Sequence, residues 1–340
     1  MRVLVTGGAG FIGSNLVRCL VASHEGVRIL DDLSTGSREN LHDCNGAPEL
    51  IVGDVRDPET IRRASKGIEV IYHLAALPSV ARSVADPLAS HQVNVNGTLN
   101  VLMAAREAGV RRVVYASSSS VYGDTPTLPK HEDMPPAPRS PYAAAKLSGE
   151  LYCRAFSAAY GLETVSLRFF NVFGPRQDPA SEYAAVVPQF ITRMLSGQPP
   201  VIFGDGQQSR DYTYVANVIQ ACILAASAGE EAVGEAVNTG CEGRTSLVAL
   251  VATLNELLGT RIEPEFAAPR AGDVRHSQAS VAKADRLLGY RPLLNLREGL
   301  ARTIEWFVES GQKPTQPAGA LLGASRFSKR LMEEGINGVA

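Results

Sequence analysis

The chain has 340 residues, 45% of them hydrophobic and 20% charged, with a net charge of −2. That balance describes an ordinary globular protein of one large or two smaller domains, and it excludes a basic nucleic-acid surface or a like-charged tail. The five cysteines, Cys19, Cys44, Cys153, Cys222 and Cys241, are widely spaced without a Cys-x-x-Cys pair, which argues against a disulfide frame or a metal site.

The chain opens on Arg2-Val3-Leu4-Val5-Thr6, a strand pattern that runs directly into glycines and not a charged leader with an apolar stretch. No run approaches the roughly 18 apolar residues that a membrane span needs, so the expected setting is the cytoplasm with no membrane partner. Strands are predicted over 3–5, 27–30, 49–52, 70–73, 112–116 and 163–169, with helices over 11–22, 58–65, 88–108 and 141–160 between them. Such alternation makes right-handed βαβ units and a parallel sheet covered on both faces.

After Phe170 the regularity breaks at turn-rich stretches such as Gly174-Pro175-Arg176-Gln177-Asp178-Pro179 and Gly204-Asp205-Gly206. Helices return over 183–196, 215–228, 246–258 and 297–310. The expected architecture is an α/β, Rossmann-type doubly wound sheet over 1–170, with returning segments near 212–240. A smaller mixed α/β domain covers 171–211 and 241–312, over the carboxyl edge of the sheet. In the peripheral tail, 313–340, Leu321, Leu322, Phe327, Leu331 and Met332 would suit one docking helix.

Thr6-Gly7-Gly8-Ala9-Gly10-Phe11-Ile12-Gly13 follows the first strand and opens the first helix. Glycines there allow a tight turn, bring backbone amides close to a pyrophosphate and aim a helix N-terminus at it. The next strand ends in Leu30-Asp31-Asp32, where a carboxylate is placed to bond the adenine ribose and to repel a 2′-phosphate. The combination calls for NAD and disfavours NADP.

Tyr142 and Lys146 lie four residues apart within Ser140-Pro141-Tyr142-Ala143-Ala144-Ala145-Lys146, on one helical face. A free phenol with a pKa of about 10 is only about 0.1% ionised at neutral pH. Bringing it to about 7 takes roughly 4 kcal/mol, more than one solvated ammonium supplies. A second positive charge, such as an oxidised nicotinamide, closes the gap, so the pair and the glycine loop belong to one chemistry.

These residues, with Gly53-Asp54-Val55-Arg56-Asp57, His73-Leu74-Ala75-Ala76, Asn94-Val95-Asn96-Gly97-Thr98, Ser117-Ser118-Ser119-Ser120-Val121-Tyr122-Gly123, Arg168-Phe169-Phe170-Asn171, Arg210-Asp211-Tyr212 and Arg270-Ala271-Gly272-Asp273, resemble the extended short-chain dehydrogenase/reductase family in its nucleotide-sugar epimerase/dehydratase branch. The resemblance runs from Val5 to about Trp306. It implies a catalytic set of Ser118, Tyr142 and Lys146, with Ser119 the fallback serine. It implies tightly bound NAD contacted by Gly7, Gly10, Phe11, Ile12, Gly13, Asp31, Asp32, Asp54, Val55, Ala75, Ala76 and Asn94, besides Tyr142 and Lys146. Around a UDP-sugar it implies Ser118, Ser119, Asn171, Arg210, Arg270, Asp273 and Ser277. Two arginines suit a diphosphate because each planar fork grips two oxygens. A homodimer through helices 88–108 and 141–160 is also implied.

Dehydratases and decarboxylases of that branch carry a carboxylate just after the catalytic Ser or Thr, where this chain has Ser119 and Ser120. Reversible oxidation at sugar carbon four needs no such group, which favours 4-epimerisation through a 4-keto sugar. In 4-epimerases restricted to UDP-glucose and UDP-galactose a bulky tyrosine occupies the position of Ser277. The serine leaves room for an N-acetyl group, and the string 270–278 looks most like UDP-N-acetylglucosamine 4-epimerases of surface-polysaccharide pathways. The alternatives are a UDP-glucose or UDP-glucuronate 4-epimerase, or an inactive NAD-binding sensor or scaffold. Ser280 stands where the family usually has Asp, a change expected to touch a helix cap more than the chemistry. His73, His91 and His276 are scattered without ligand spacing and read as structural, with no metal.

Overall fold

The computed structural model describes residues 2–23, 26–42, 44, 46, 48–179, 185–269 and 274–311. In chain order the first half is β1 (Arg2–Thr6), α1 (Phe11–Val21), β2 (Gly26–Asp31), β3 (Glu49–Val52), α2 (Pro58–Ser65), β4 (Val70–His73), α3 (Val80–Ala85), α4 (Pro87–His91), α5 (Gly97–Glu107), β5 (Arg112–Ser118), α6 (Pro141–Tyr160) and β6 (Glu163–Phe169). The second half holds β7 (Val172–Phe173), α7 (Val186–Leu195), β8 (Val201–Phe203), β9 (Ser209–Arg210), β10 (Thr213–Tyr214), α8 (Val215–Ser227), β11 (Glu235–Thr239), β12 (Thr245–Ser246), α9 (Leu247–Leu258), β13 (Glu265–Ala267), α10 (Ala282–Leu288) and α11 (Leu296–Glu309).

The central sheet has seven strands in the order β11-β6-β5-β4-β1-β2-β3, all paired in parallel. Its order reverses direction beside β1, which is the crevice where open α/β sheets take ligands. Alternate residues of each strand feed different cores. Val3, Val5, Ile29, Val114 and Leu167 pack on one face, and Leu4, Leu30, Ile71, Val113 and Tyr115 on the other. That two-sided burial is why β1, β4 and β5 read as largely apolar runs.

Capping chemistry sets the helix that matters most. Ser140 caps α6 by accepting from the Ala143 amide at 3.1 Å, Pro141 occupies the first turn, and Gly161 ends the helix in the left-handed conformation at φ 70°. Helix α8 packs on α1, β5 and β6, and β11 pairs with β6, so these later elements return to the central sheet. The remaining short strands form three two-stranded pairs, β7 with β10, β9 with β12 and β8 with β13. Phe173, Leu250, Leu300 and Phe307 share one apolar cluster with Val3 and Val114, so the elements that carry them are built onto the sheet through a continuous core.

Differences from the sequence reading are local. The helix expected over 88–108 is α4 and α5 joined by a π-helical turn, Gln92–Asn96, which turns Asn94 into the interior. Strand β11 and the short helices α3 and α10 were not anticipated. The start of the helix expected from 183, the tail 313–340, Arg270 and Asp273 lie outside the described residues. No helix among the described residues is long and apolar enough to cross a membrane.

Candidate active site

One cleft of about 1760 Å³ runs along the carboxyl ends of β1 to β6 and on to β9 and the segment at 274–277. A single small-molecule pocket spans about 300–1,000 Å³, so this volume suits two large ligands laid end to end. Every described residue named above as catalytic, cofactor-binding or substrate-binding lines it, with the exception of Asn94.

At one end the glycine loop closes on itself. Gly7 has φ 71°, a side chain there would come within 2.7 Å of the Ala75 amide, and one on Gly13 would come within 2.0 Å of the Gly7 carbonyl. Only hydrogen atoms fit these positions. No side chain caps α1 at Gly10 and its first turn carries no acidic residue, which leaves its first amides to an anion. Asp31 is buried and accepts from the Ala9 amide at 2.9 Å and the Leu33 amide at 2.8 Å. Burial raises its pKa, and the two amides pull it back. Asp32 accepts from the Ser34 amide and hydroxyl. The cradle, the uncapped helix and the acidic pair fit a dinucleotide.

Further along, Asp54 is bonded by the Arg56 guanidinium, which holds its pKa below the usual carboxylate range. Asn100 fixes the Val55 carbonyl at 3.1 Å. Asn94 contributes from behind the wall. It is 1% exposed, accepts from the Leu77 amide at 2.9 Å and donates to the Leu77 carbonyl, and so braces the loop that presents Ala75 and Ala76. His73 lies between Thr6 and Thr98, hydrogen-bonded at both ring nitrogens, and burial drives its pKa down to about 3.

At the centre the four serines divide their work. Ser117 donates to the buried Glu150, Ser118 is hydrogen-bonded to the Tyr142 phenol, and Ser119 and Ser120 line the cleft. Burial raises the Tyr142 pKa above its ordinary value, and the Ser118 bond opposes that shift. Lys146 is 3% exposed, and burial lowers its pKa to about 8. Its ammonium donates to the Ala116 carbonyl at 2.7 Å. The chain's own charges therefore leave the phenol protonated, and desolvation is the reason.

The far end carries Asn171, Arg210 and Ser277. Asn171 has φ 31°, an uncommon conformation for a residue with a side chain. Arg210 donates to the Ser209 and Arg275 carbonyls. Ser277 is held by its own amide, which donates to the Ser209 carbonyl at 3.0 Å.

Sequence reasoning missed several supports. Glu150 sits one turn beyond Lys146 and forms a buried pair with Arg168 at 2.7 Å, a spacing that the sequence did offer. Arg168 in turn donates to the Tyr122 hydroxyl, which donates to Asn238. Asp211, inside the Arg210-Asp211-Tyr212 motif, is fully buried and accepts from the Cys241 and Ala279 amides, each at 3.0 Å. Asn15 reaches the loop at 174–179, which no pattern in the sequence announces.

Residues 3–240 match the model of the NAD dependent epimerase/dehydratase family. A curated relative, the UDP-glucose 4-epimerase of Mycolicibacterium smegmatis, is 45% identical over 92% of this chain and 100% of its own length. Among solved structures, the UDP-N-acetylglucosamine 4-epimerase of Methanobrevibacter ruminantium in complex with UDP-N-acetylmuramic acid has a TM-score of 0.87 at 39% identity, covering 91% of this chain and 98% of that one. The Thermus thermophilus UDP-glucose 4-epimerase in complex with NAD has a TM-score of 0.82 at 40% identity, covering 91% and 99%. The chain belongs to the NAD dependent epimerase/dehydratase family, an isomerase with NAD as its cofactor.

Proposed function

We propose that the chain is a UDP-sugar 4-epimerase whose preferred pair is UDP-N-acetylglucosamine and UDP-N-acetylgalactosamine. The observation that carries this reading is the wall around Tyr142. Ser118 bonds the phenol, and Ser119 and Ser120 stand where a dehydratase or decarboxylase needs a carboxylate. The names of the relatives support 4-epimerisation and include both N-acetylated and plain glucose substrates.

Bound along Gly7–Gly13 and the two aspartates, NAD supplies a hydride acceptor and a positive charge. Tyr142 takes the proton of the sugar 4-hydroxyl and returns it, with Ser118 holding the phenol oxygen in place. Lys146, fixed on the Ala116 carbonyl, holds a cation on the wall of the cleft. Asn171 and Arg210, with Arg270 and Asp273, hold the uridine diphosphate, so that binding energy resides in the nucleotide and the sugar is free to turn over. Ser277 leaves space for the 2-N-acetyl group.

Incubating the purified protein with UDP-N-acetylglucosamine should produce UDP-N-acetylgalactosamine, visible in the anomeric region of the proton NMR spectrum. Brisk conversion of UDP-glucose without turnover of the N-acetyl sugar would overturn the substrate assignment. NAD-loaded protein inert on every UDP-sugar would point to a binding protein without catalysis.

A further inference from the structure

The loop at 174–179 begins the second domain and lines the cleft through Arg176, Gln177 and Asp178. It turns at Arg176 with φ 68°, a left-handed conformation that a residue with a side chain keeps only when its surroundings impose it. One side chain of the cofactor helix bonds to this turn. Asn15 lies one turn after Phe11 on α1. Its amide nitrogen donates to the Phe11 carbonyl at 2.8 Å and to the Pro175 carbonyl at 3.1 Å, and its oxygen accepts from the Arg176 guanidinium. Both amide protons and the oxygen are engaged, so the amide has one orientation and grips the residues on both sides of the 175–176 bond.

The two partners of this amide serve different ends of the cleft. Helix α1 presents its N-terminus to the dinucleotide, while Arg176 presents a guanidinium on the wall that runs on to Arg210. A guanidinium held at a fixed angle suits a diphosphate. We propose that Asn15 is a positioning residue that couples the cofactor half of the cleft to the sugar-nucleotide half by holding Pro175 and Arg176 in their strained turn. The coupling is reciprocal: a helix settled by NAD sets the arginine for the nucleotide, and a bound nucleotide steadies the helix. This rests on the UDP-sugar reading above.

The test is a double-mutant cycle with Asn15→Ala and Arg176→Ala, reading the affinity of NAD-loaded protein for UDP by calorimetry alongside KM and kcat for the UDP-sugar. Each single variant is expected to weaken UDP binding and raise KM about tenfold, with kcat within about threefold and NAD content unchanged. The double variant should bind UDP no more weakly than Arg176→Ala alone, since both changes remove one arrangement. Should Asn15→Ala fail to fold, the isosteric Asn15→Asp keeps the oxygen for Arg176 and removes both donors, and an intermediate loss is expected. Losses that multiply in the double variant would overturn the coupling, as would loss of NAD from Asn15→Ala with UDP affinity intact. A wild-type protein unable to bind UDP would remove the functional reading and this proposal together, whereas UDP binding with independent losses removes only the proposal.

Discussion

Lys146 donates to the carbonyl oxygen of Ala116 at 2.7 Å, across 30 residues of chain, which fixes its ammonium at the carboxyl end of β5. Buried there, it titrates near 8, so it is charged at neutral pH and loses its proton just above. Burial raises the pKa of Tyr142, so the phenol needs a positive charge beside it, and we propose Lys146 and the cofactor as its sources. Tyr142→Phe is expected to lower kcat by about 10²- to 10⁴-fold with NAD content and circular dichroism unchanged. In the wild type, kcat should fall as pH rises through about 8. A flat profile from pH 7 to 10 would show that Lys146 is not the titrating partner.

Ser277 tests the substrate assignment in a different way. Its amide is fixed to Ser209, so a larger side chain at this position cannot withdraw by moving the backbone freely. On the proposed reading Ser277→Tyr fills the space beside the sugar 2-substituent, and overpacking of that kind costs about 1–3 kcal/mol. Turnover of UDP-N-acetylglucosamine is expected to drop at least about tenfold, with UDP-glucose changed by less than about threefold. Equal losses on both sugars would show that Ser277 does not select.

The sheet was legible through its β-branched and apolar residues: the buried run 70–73 coincides with β4, and 49–52 and 163–169 coincide with the edge strand β3 and with β6, whose apolar residues alternate with polar ones. The glycine loop was legible because Gly7 and Gly13 tolerate no side chain, a constraint written directly into residue type. Strand β11 was not, since Glu235-Ala236-Val237-Asn238-Thr239 acquires its identity only by pairing with β6. The π-helical turn at Asn94 escaped for a related reason. It adds no breaker to the sequence, and the inward amide is explained only by the Leu77 backbone it meets. Asn15 and Asp211 bond to segments far along the chain, and no local periodicity reports such partners.

Asp211 joins the two sides of the sugar end. It follows Arg210, and its carboxylate accepts from the Ala279 amide two residues after Ser277. Burial raises its pKa to about 6 from an ordinary 3.8, and the backbone amides oppose the shift. The folded chain therefore takes up a proton between those values. The contribution to stability is fully present below 3.8 and is lost as pH rises through about 6. Positioning runs the opposite way, because a protonated carboxyl gives up part of its acceptor capacity. KM for the UDP-sugar is expected to rise as pH falls below about 6 in the wild type, without a drop in thermal stability from this group. Asp211→Asn should flatten that rise and destabilise the fold by about 1–3 kcal/mol, since one buried amide loses its acceptor. A KM profile that is unchanged in Asp211→Asn would assign the acid limb elsewhere.

Helices α3 to α6 leave Val84, Leu88, Met103, Leu151, Tyr152 and Tyr160 exposed. Apolar side chains gathered on neighbouring helices are costly in water, and burying each is worth about 1.5–3 kcal/mol. Two of these helices, α4 and α6, are in contact, and α6 carries both Tyr142 and Lys146. A homodimer formed by this face would bury the patch and stiffen the catalytic helix from behind. Sedimentation of the wild type at micromolar concentration is expected to give a dimer, and Leu88→Arg with Leu151→Arg a folded monomer. The monomer should lose activity more through kcat than through KM, because α6 carries Tyr142 and Lys146 while Asn171, Arg210 and Ser277 lie on other elements. A wild type that sediments as a monomer at tens of micromolar would leave the apolar face without a second copy of this chain as its partner.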